Sequence, residues 1–206
     1  AAVEPALIEA ALQEGALNSK ALPFRFVSAY KHAPQYAQAL SDAMQLAITG
    51  SLPGSTALII DVSGSMDEMI SAKGTLTRWE AAGALAVLVR GLTPSCRVFT
   101  YSTELHEVSN LKGLGLIEQI GKQQHGATYT DAAVQKVNQL CPTVDRMILI
   151  TDEQAHDGLC KSVAPKAYLI NVAPYKPGLE LGGSWVRING WSERIVEWIQ
   201  LEEAGA

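Results

Sequence analysis

The 206-residue sequence has no run of lysine and arginine: its sixteen basic residues are scattered and outnumbered by 21 acidic ones, for a formal net charge of -5. That balance excludes a broad electrostatic footprint for nucleic acid phosphate, so a phosphate-rich partner would need a local patch. No stretch reaches the ~18 to 20 continuous apolar residues of a membrane span, and the amino-terminal AAVEPALIEAALQEG carries acids where a secretory signal needs a basic start. The chain is therefore expected to be soluble and cytoplasmic, with no membrane contact. Cysteine is scarce. Cys96, Cys141 and Cys160 lie far apart and cannot all pair, which suits free, mostly buried thiols in a reducing compartment. The sequence also lacks a Walker-type glycine loop with lysine and a G-x-S-x-G elbow, which argues against nucleotide turnover and serine hydrolysis.

What is present is enough apolar residue, 48% of the chain, for one sizeable core. Residues 1–50 read as helical: Pro5 to Glu14 is rich in Ala, Leu and Glu, and Pro34 to Thr49 repeats apolar residues near a 3.6-residue period. Gly50, Pro53 and Gly54 break that pattern, and short apolar runs then alternate with helical stretches. Strands are expected at Thr56–Asp61, Cys96–Tyr101, Arg146–Asp152, Lys166–Val172 and Trp185–Asn189, with Glu104–Val108 returning as a hairpin. Between them, Thr77 to Glu80 reads as a capping box opening a helix that Gly91 closes. Further helices are expected over Leu114–Gly121, Asp131–Leu140 and Ser192–Leu201. This alternation predicts a doubly wound α/β domain over 51–206, with a mostly parallel central sheet and helices on both faces; 1–50 packs on it as a helical segment.

Two of the predicted strands end on carboxylates, Asp61 and Asp152, and ligands in such folds bind in the crevice outside the carboxyl ends of the strands. In DVSGSM, Asp61, Ser63 and Ser65 alternate, and Gly64 is expected to let the chain turn tightly between the hydroxyls. The HGATYTD loop offers Thr128 or Thr130, the latter also a candidate cap for the following helix, and Gly126 allows close backbone approach. Two carboxylates and several hydroxyls suit a hard cation such as Mg2+, which prefers oxygen and is commonly held by one or two carboxylates; Mn2+ and Ca2+ stay open as alternatives.

DVSGS at one strand end, the GATYTDAA loop and ILITDE at another strand end together resemble the metal-ion-dependent adhesion site of von Willebrand factor A domains, whose pattern is D-x-S-x-S, a loop Thr and a strand-end Asp. Asp61, Ser63, Ser65, Thr128 and Asp152 match it in order. The resemblance implies that Ser63, Ser65 and Thr128 touch the metal, that the aspartates often act through water, and that an open position accepts a partner carboxylate without catalysis. A narrower resemblance rests on LPFRFVSAYKHAP (Leu22 to Pro34) ahead of DVSGSM, which is similar to the carboxy-terminal part of Ro autoantigen proteins of the TROVE-module family, bacterial members included. Those proteins bind noncoding RNA through a ring of helical repeats. The ring itself is missing from this sequence, so ring-based RNA binding is not implied for it.

The expected function is thus metal-dependent binding of a protein partner that supplies an acidic ligand, within a Ro-like ribonucleoprotein, and not an enzymatic one. Two alternatives are weighed against it. An RNA-contacting module would use Lys20, Arg25, Lys31 and His32 on phosphate, although these also read as surface charges. A metal-assisted hydrolase lacks an identifiable general base; Ser63 with His32, His106, His125 or His156 makes no recognised arrangement. Glu153, His156 and Asp157 suggest a further metal cluster but read better as solvated loop residues, and Trp79, Trp185, Trp191 and Trp198 as packing residues rather than stacking platforms.

Overall fold

A computed structural model describes residues 4–18, 22–72, 74–123, 125–173, 178–192 and 194–205. Its elements run α1 (Pro5–Asn18), α2 (Pro23–His32), α3 (Ala37–Leu46), β1 (Ser55–Asp61), α4 (Arg78–Leu92), β2 (Ser95–Tyr101), β3 (Leu105–Val108), α5 (Gly113–Gly121), α6 (Thr130–Leu140), β4 (Arg146–Thr151), β5 (Lys166–Asn171), β6 (Trp185–Asn189) and α7 (Arg194–Ala204). The strands form one sheet in the order β3-β2-β1-β4-β5-β6, parallel throughout except for the β2–β3 hairpin. Chain order reverses between β1 and β4. The ends of these two strands therefore flank the switch point where a doubly wound sheet opens a crevice.

Period-two alternation divides the core. In β1, Leu58 and Ile60 face one side of the sheet and Ala57 and Ile59 the other; β4 repeats this with Ile148 and Ile150 against Met147 and Leu149. The first side packs under Phe26 and Val27 of α2, Leu40 and Met44 of α3, most of α4 and α5, and Ile195, Val196 and Ile199 of α7. On the other side α6 is the one helix among the described residues, through Ala133, Val134 and Val137, and Leu159, Ala164 and Leu179 from connecting segments add to the cover. Helices thus lie on both faces, as expected, but unequally.

Several expected boundaries shift for physical reasons. Pro23 at a helix start makes Pro23–His32 a helix that periodicity alone does not mark, and Pro34–Tyr36 forms a tight 3-10 turn before α3. The capping box at Thr77 is present with both reciprocal bonds. Gly91, expected to end α4, lies inside it; its missing side chain admits Ile48, which a Cβ there would meet at 3.0 Å. The three cysteines are free, with Cys141 buried and Cys96 and Cys160 partly so.

Arg146 fastens α7 to the sheet. It is 1% exposed, donates to Thr56 Oγ1 (2.9 Å) and the Pro53 carbonyl (3.0 Å), and forms an ion pair with Glu203 of α7. Glu203→Ala should leave this guanidinium buried without a carboxylate and lower stability by about 3 kcal/mol in urea denaturation. A loss below about 0.5 kcal/mol would mean that the two carbonyl and hydroxyl partners suffice.

Candidate metal centre

Asp61 ends β1 with no exposed surface, and three donors meet its carboxylate. Ser63 N–H donates to Oδ1 (2.8 Å); Thr151 Oγ1, at the end of the neighbouring β4, donates to Oδ2 (2.7 Å), and the Tyr101 hydroxyl reaches the same oxygen at 3.3 Å. Burial nonetheless pushes its pKa up to about 6, with the nearby Asp152 adding to the rise while the Ser63 and Thr151 bonds oppose it. Beyond Asp61 the chain enters a 3-10 turn, Gly64–Asp67, which places the Ser63 and Ser65 hydroxyls 3.3 Å apart. Gly64 has neither a left-handed backbone nor a neighbour within 4 Å of a built Cβ, so the tight turn does not depend on glycine, contrary to expectation.

The second carboxylate follows β4. Asp152 is 2% exposed, and its Oδ2 accepts from Arg78 Nη1 (2.8 Å) while Oδ1 accepts the Gln154 N–H (3.2 Å). The same Arg78 nitrogen donates to the Ser65 carbonyl (3.0 Å), and Nη2 to exposed Glu68 (2.6 Å). One guanidinium at the start of α4 therefore ties the serine turn to the strand-end aspartate.

The threonine loop is drawn to the same crest by backbone bonds: Gly64 N–H to the Gly126 carbonyl (3.3 Å), Tyr129 N–H to the Ser102 carbonyl (3.2 Å), and His156 N–H to the Thr128 carbonyl (2.9 Å). His125 Nδ1 lies 2.9 Å from an Asp67 oxygen, pinning the loop to the serine turn. Thr128 is buried. Gly126 does permit a close approach, since a Cβ there would fall 2.5 Å from Thr103 Oγ1. Thr130 is not a cap: Tyr129 holds the N-cap position, and the Thr130 hydroxyl shares a 3.1 Å hydrogen bond with Tyr101 behind Asp61.

The crest thus links Asp61, Ser63 and Ser65 through direct bonds and joins Asp152 to the Ser65 carbonyl through Arg78, while Thr128 lies buried in the loop that Gly126 ties to Gly64. Among the described residues no group of three or more His, Cys, Asp or Glu side chains is placed to hold a metal. A set of two carboxylates and three hydroxyls, with adjacent serine oxygens and a carboxylate whose charge burial disfavours, fits a hard oxygen-seeking cation and not a soft one.

Sequence reasoning missed Arg78 and misread Glu153. Glu153 is buried, not solvated, with φ of 60°, an uncommon backbone state for a residue with a side chain. Its carboxylate accepts from Asn171 Nδ2, the Gly178 and Leu179 amides and Arg187, interactions that hold the strained residue next to Asp152. A Cβ on Gly178 would lie 2.1 Å from the Glu153 carbonyl, so that approach requires glycine. His156 is exposed, with Nδ1 3.3 Å from the Thr128 amide and carbonyl. Ser63 Oγ has no histidine among its described hydrogen-bond partners. Of the residues considered for phosphate, Lys31 is engaged by Glu80 and the Thr75 carbonyl, Arg25 and His32 are exposed, and Lys20 lies outside the described residues. Trp185 is buried, Trp79 and Trp191 pack partly buried against the core, and Trp198 is 41% exposed edge-on to Tyr168.

No protein-family model and no curated protein matches the chain. Among solved structures, the Ro (RSR) protein of Deinococcus radiodurans aligns with a TM-score of 0.73 at 16% identity, over 98% of this chain and 49% of that one. The fold is shared with a Ro protein. The chain spans about half of that protein's length, and the shared fold is its six-stranded, mostly parallel sheet with helices on both faces. Weaker likenesses are to BatB of Bacteroides thetaiotaomicron (TM-score 0.47, 13% identity, 74% of this chain and 98% of that one) and to the ArnB paralog VWA2 of Sulfolobus acidocaldarius (0.43, 17%, 68% and 42%). Among the described residues no helix is long and apolar enough to cross a membrane.

Arg78→Met should strip the counter-charge from Asp152 and lower the stability of the chelated protein by about 3 kcal/mol. Added Mg2+ should recover part of that loss, making the metal-induced rise in melting temperature larger than in wild type. Equal rises in the two proteins would show that Arg78 does not offset charge at the crest.

Proposed function

We propose that the chain binds one divalent cation, Mg2+ in preference to Mn2+ or Ca2+, through Asp61, Ser63, Ser65, Thr128 and Asp152, and thereby recognises an acidic group on a protein partner. The observation that carries this reading is the pairing of a buried, proton-favouring Asp61 with neighbouring serine hydroxyls at the sheet's switch point. When bound, the cation supplies a positive centre with a coordination position open to a partner carboxylate. The chain's own residues keep that centre under-neutralised: three of the five ligands are neutral, and one of the two carboxylates is already ion-paired to Arg78. Since the protein carries a net charge of -5, attraction for an acidic partner has to be this local.

Binding without catalysis is preferred because Ser63 Oγ meets no base among the described residues and the histidines of the crest loops are otherwise engaged, His125 by Asp67 and His156 by the Thr128 backbone. An RNA-contacting role is disfavoured by the use of Lys31 within the fold. The likeness to a Ro protein supports a place in a Ro-like ribonucleoprotein, with noncoding RNA held by a separate repeat module.

A thermal melt of the chelated protein against Mg2+, with and without acetate, tests the site. Metal at ten times its dissociation constant adds about 1.4 kcal/mol, a shift of several degrees, and acetate should raise the melt further. Asp61→Asn should abolish both rises. A shift unchanged in Asp61→Asn would place any metal elsewhere, and a metal-induced rise that acetate leaves unaltered would remove the adhesion reading.

A further inference from the structure

At the end of the sheet opposite the metal crest, the start of β2, the end of β3 and the ends of α4 and α5 enclose a cavity of about 960 Å³. Its charged and polar lining includes Arg90, Cys96, Arg97, Glu107, Asn110 and Lys112, and no aromatic side chain lines it. Arg90 is 9% exposed. Its Nη1 donates to the Ser109 and Leu111 carbonyls (3.1 and 2.9 Å), its Nη2 to the Cys96 carbonyl (3.4 Å), and its buried Nε has no partner.

No carboxylate among the described residues balances this charge at ion-pair distance. Glu107, the acid in the lining, is committed to Arg97 through two bonds of 2.8 and 2.7 Å. The Cys96 thiol, pushed up to about 11 by burial, stays neutral at physiological pH. Lys112, exposed at the rim, likewise forms no ion pair among the described residues. Burying the Arg90 guanidinium without a counter-charge is costly, and an anion in the cavity would offset that cost, with exposed Lys112 adding to the positive potential at the rim.

Helix ends reinforce the sign. The nine-residue α5 begins at the cavity with Lys112 and Gly113, so its partial positive pole points there. The opposing carbonyl end of α4 is largely satisfied, since the Val89 carbonyl accepts the Thr93 amide and hydroxyl and the Leu92 carbonyl accepts the Leu52 amide.

We propose that this cavity binds the phosphate group of a small phosphorylated molecule that carries no aromatic base, with Arg90 and Lys112 supplying the two positive charges. Arg90 supplies a buried positive charge in the cavity wall, and Lys112 closes the rim. The absence of aromatic lining leaves nothing on which a nucleobase would stack.

The test titrates the chelated full chain with inorganic phosphate, glycerol phosphate and a mononucleotide at constant ionic strength, reading the Arg90 Nε–H and Gly113 amide resonances. Saturable shifts of both are expected with the first two ligands. Lys112→Ala, an exposed change that spares the fold, should weaken binding about fivefold. Absence of saturable shifts or an affinity indifferent to Lys112→Ala would each overturn the assignment. A mononucleotide that binds more tightly than glycerol phosphate would overturn the choice of a ligand without a base.

Discussion

A carboxylate with no exposed surface stands at the tip of a central strand, and the crest is organised around keeping it there. Asp61 follows an apolar run that places it at the switch point, where neighbouring strand ends supply donors without extra chain: Thr151 beside it on β4 and Tyr101 opposite it on β2. Those donors oppose but do not cancel the cost of burial, since the group still titrates near 6. An imperfectly compensated buried anion is poor design for a structural turn. It fits the cation site proposed for this crest.

The second carboxylate is handled differently. Asp152 has a full guanidinium partner, and the residue after it is held in a strained backbone state by an ion pair with Arg187 and by amides from a glycine-permitted approach. Arg78 and Glu153 therefore set where Asp152 sits without being ligands themselves. Arg78 also offsets the negative charge that Asp152 brings to the crest, which suits the cation proposed there.

Much of this was legible in the sequence because it is written in local chemistry. Apolar runs ending on Asp61 and Asp152, the reciprocal cap at Thr77 and the alternation of Ser63 with Ser65 each need a few adjacent residues to be recognised. What escaped depends on distant contacts. Arg78 reads as an ordinary first-turn residue until β4 lies alongside α4, and Glu153 reads as solvated until Arg187, 34 positions later, is brought to it. Thr130 carries a cap-forming side chain, yet the buried Tyr101 hydroxyl claims it from another strand. Gly91 and Gly64 show the converse error: a turn-forming residue was read as a turn, whereas one admits Ile48 into a helix and the other sits in open space.

Helix α4 links the two ends of the molecule through its arginines. Arg78 opens it at the metal crest and Arg90 lies near its close at the cavity, twelve residues apart and thus about 18 Å along the axis. Every position from Ala81 to Arg90 is buried, so the side chains between them are fixed by packing. A charged residue is tolerated at each end for a different reason. Arg78 neutralises a carboxylate of its own chain, whereas Arg90 is held by backbone carbonyls and the Cys96 side chain, with no carboxylate at ion-pair distance among the described residues. Since a buried guanidinium is costly wherever it lies, the two ends differ in sign: the crest keeps an under-compensated carboxylate, and the Arg90 end an unpaired cation.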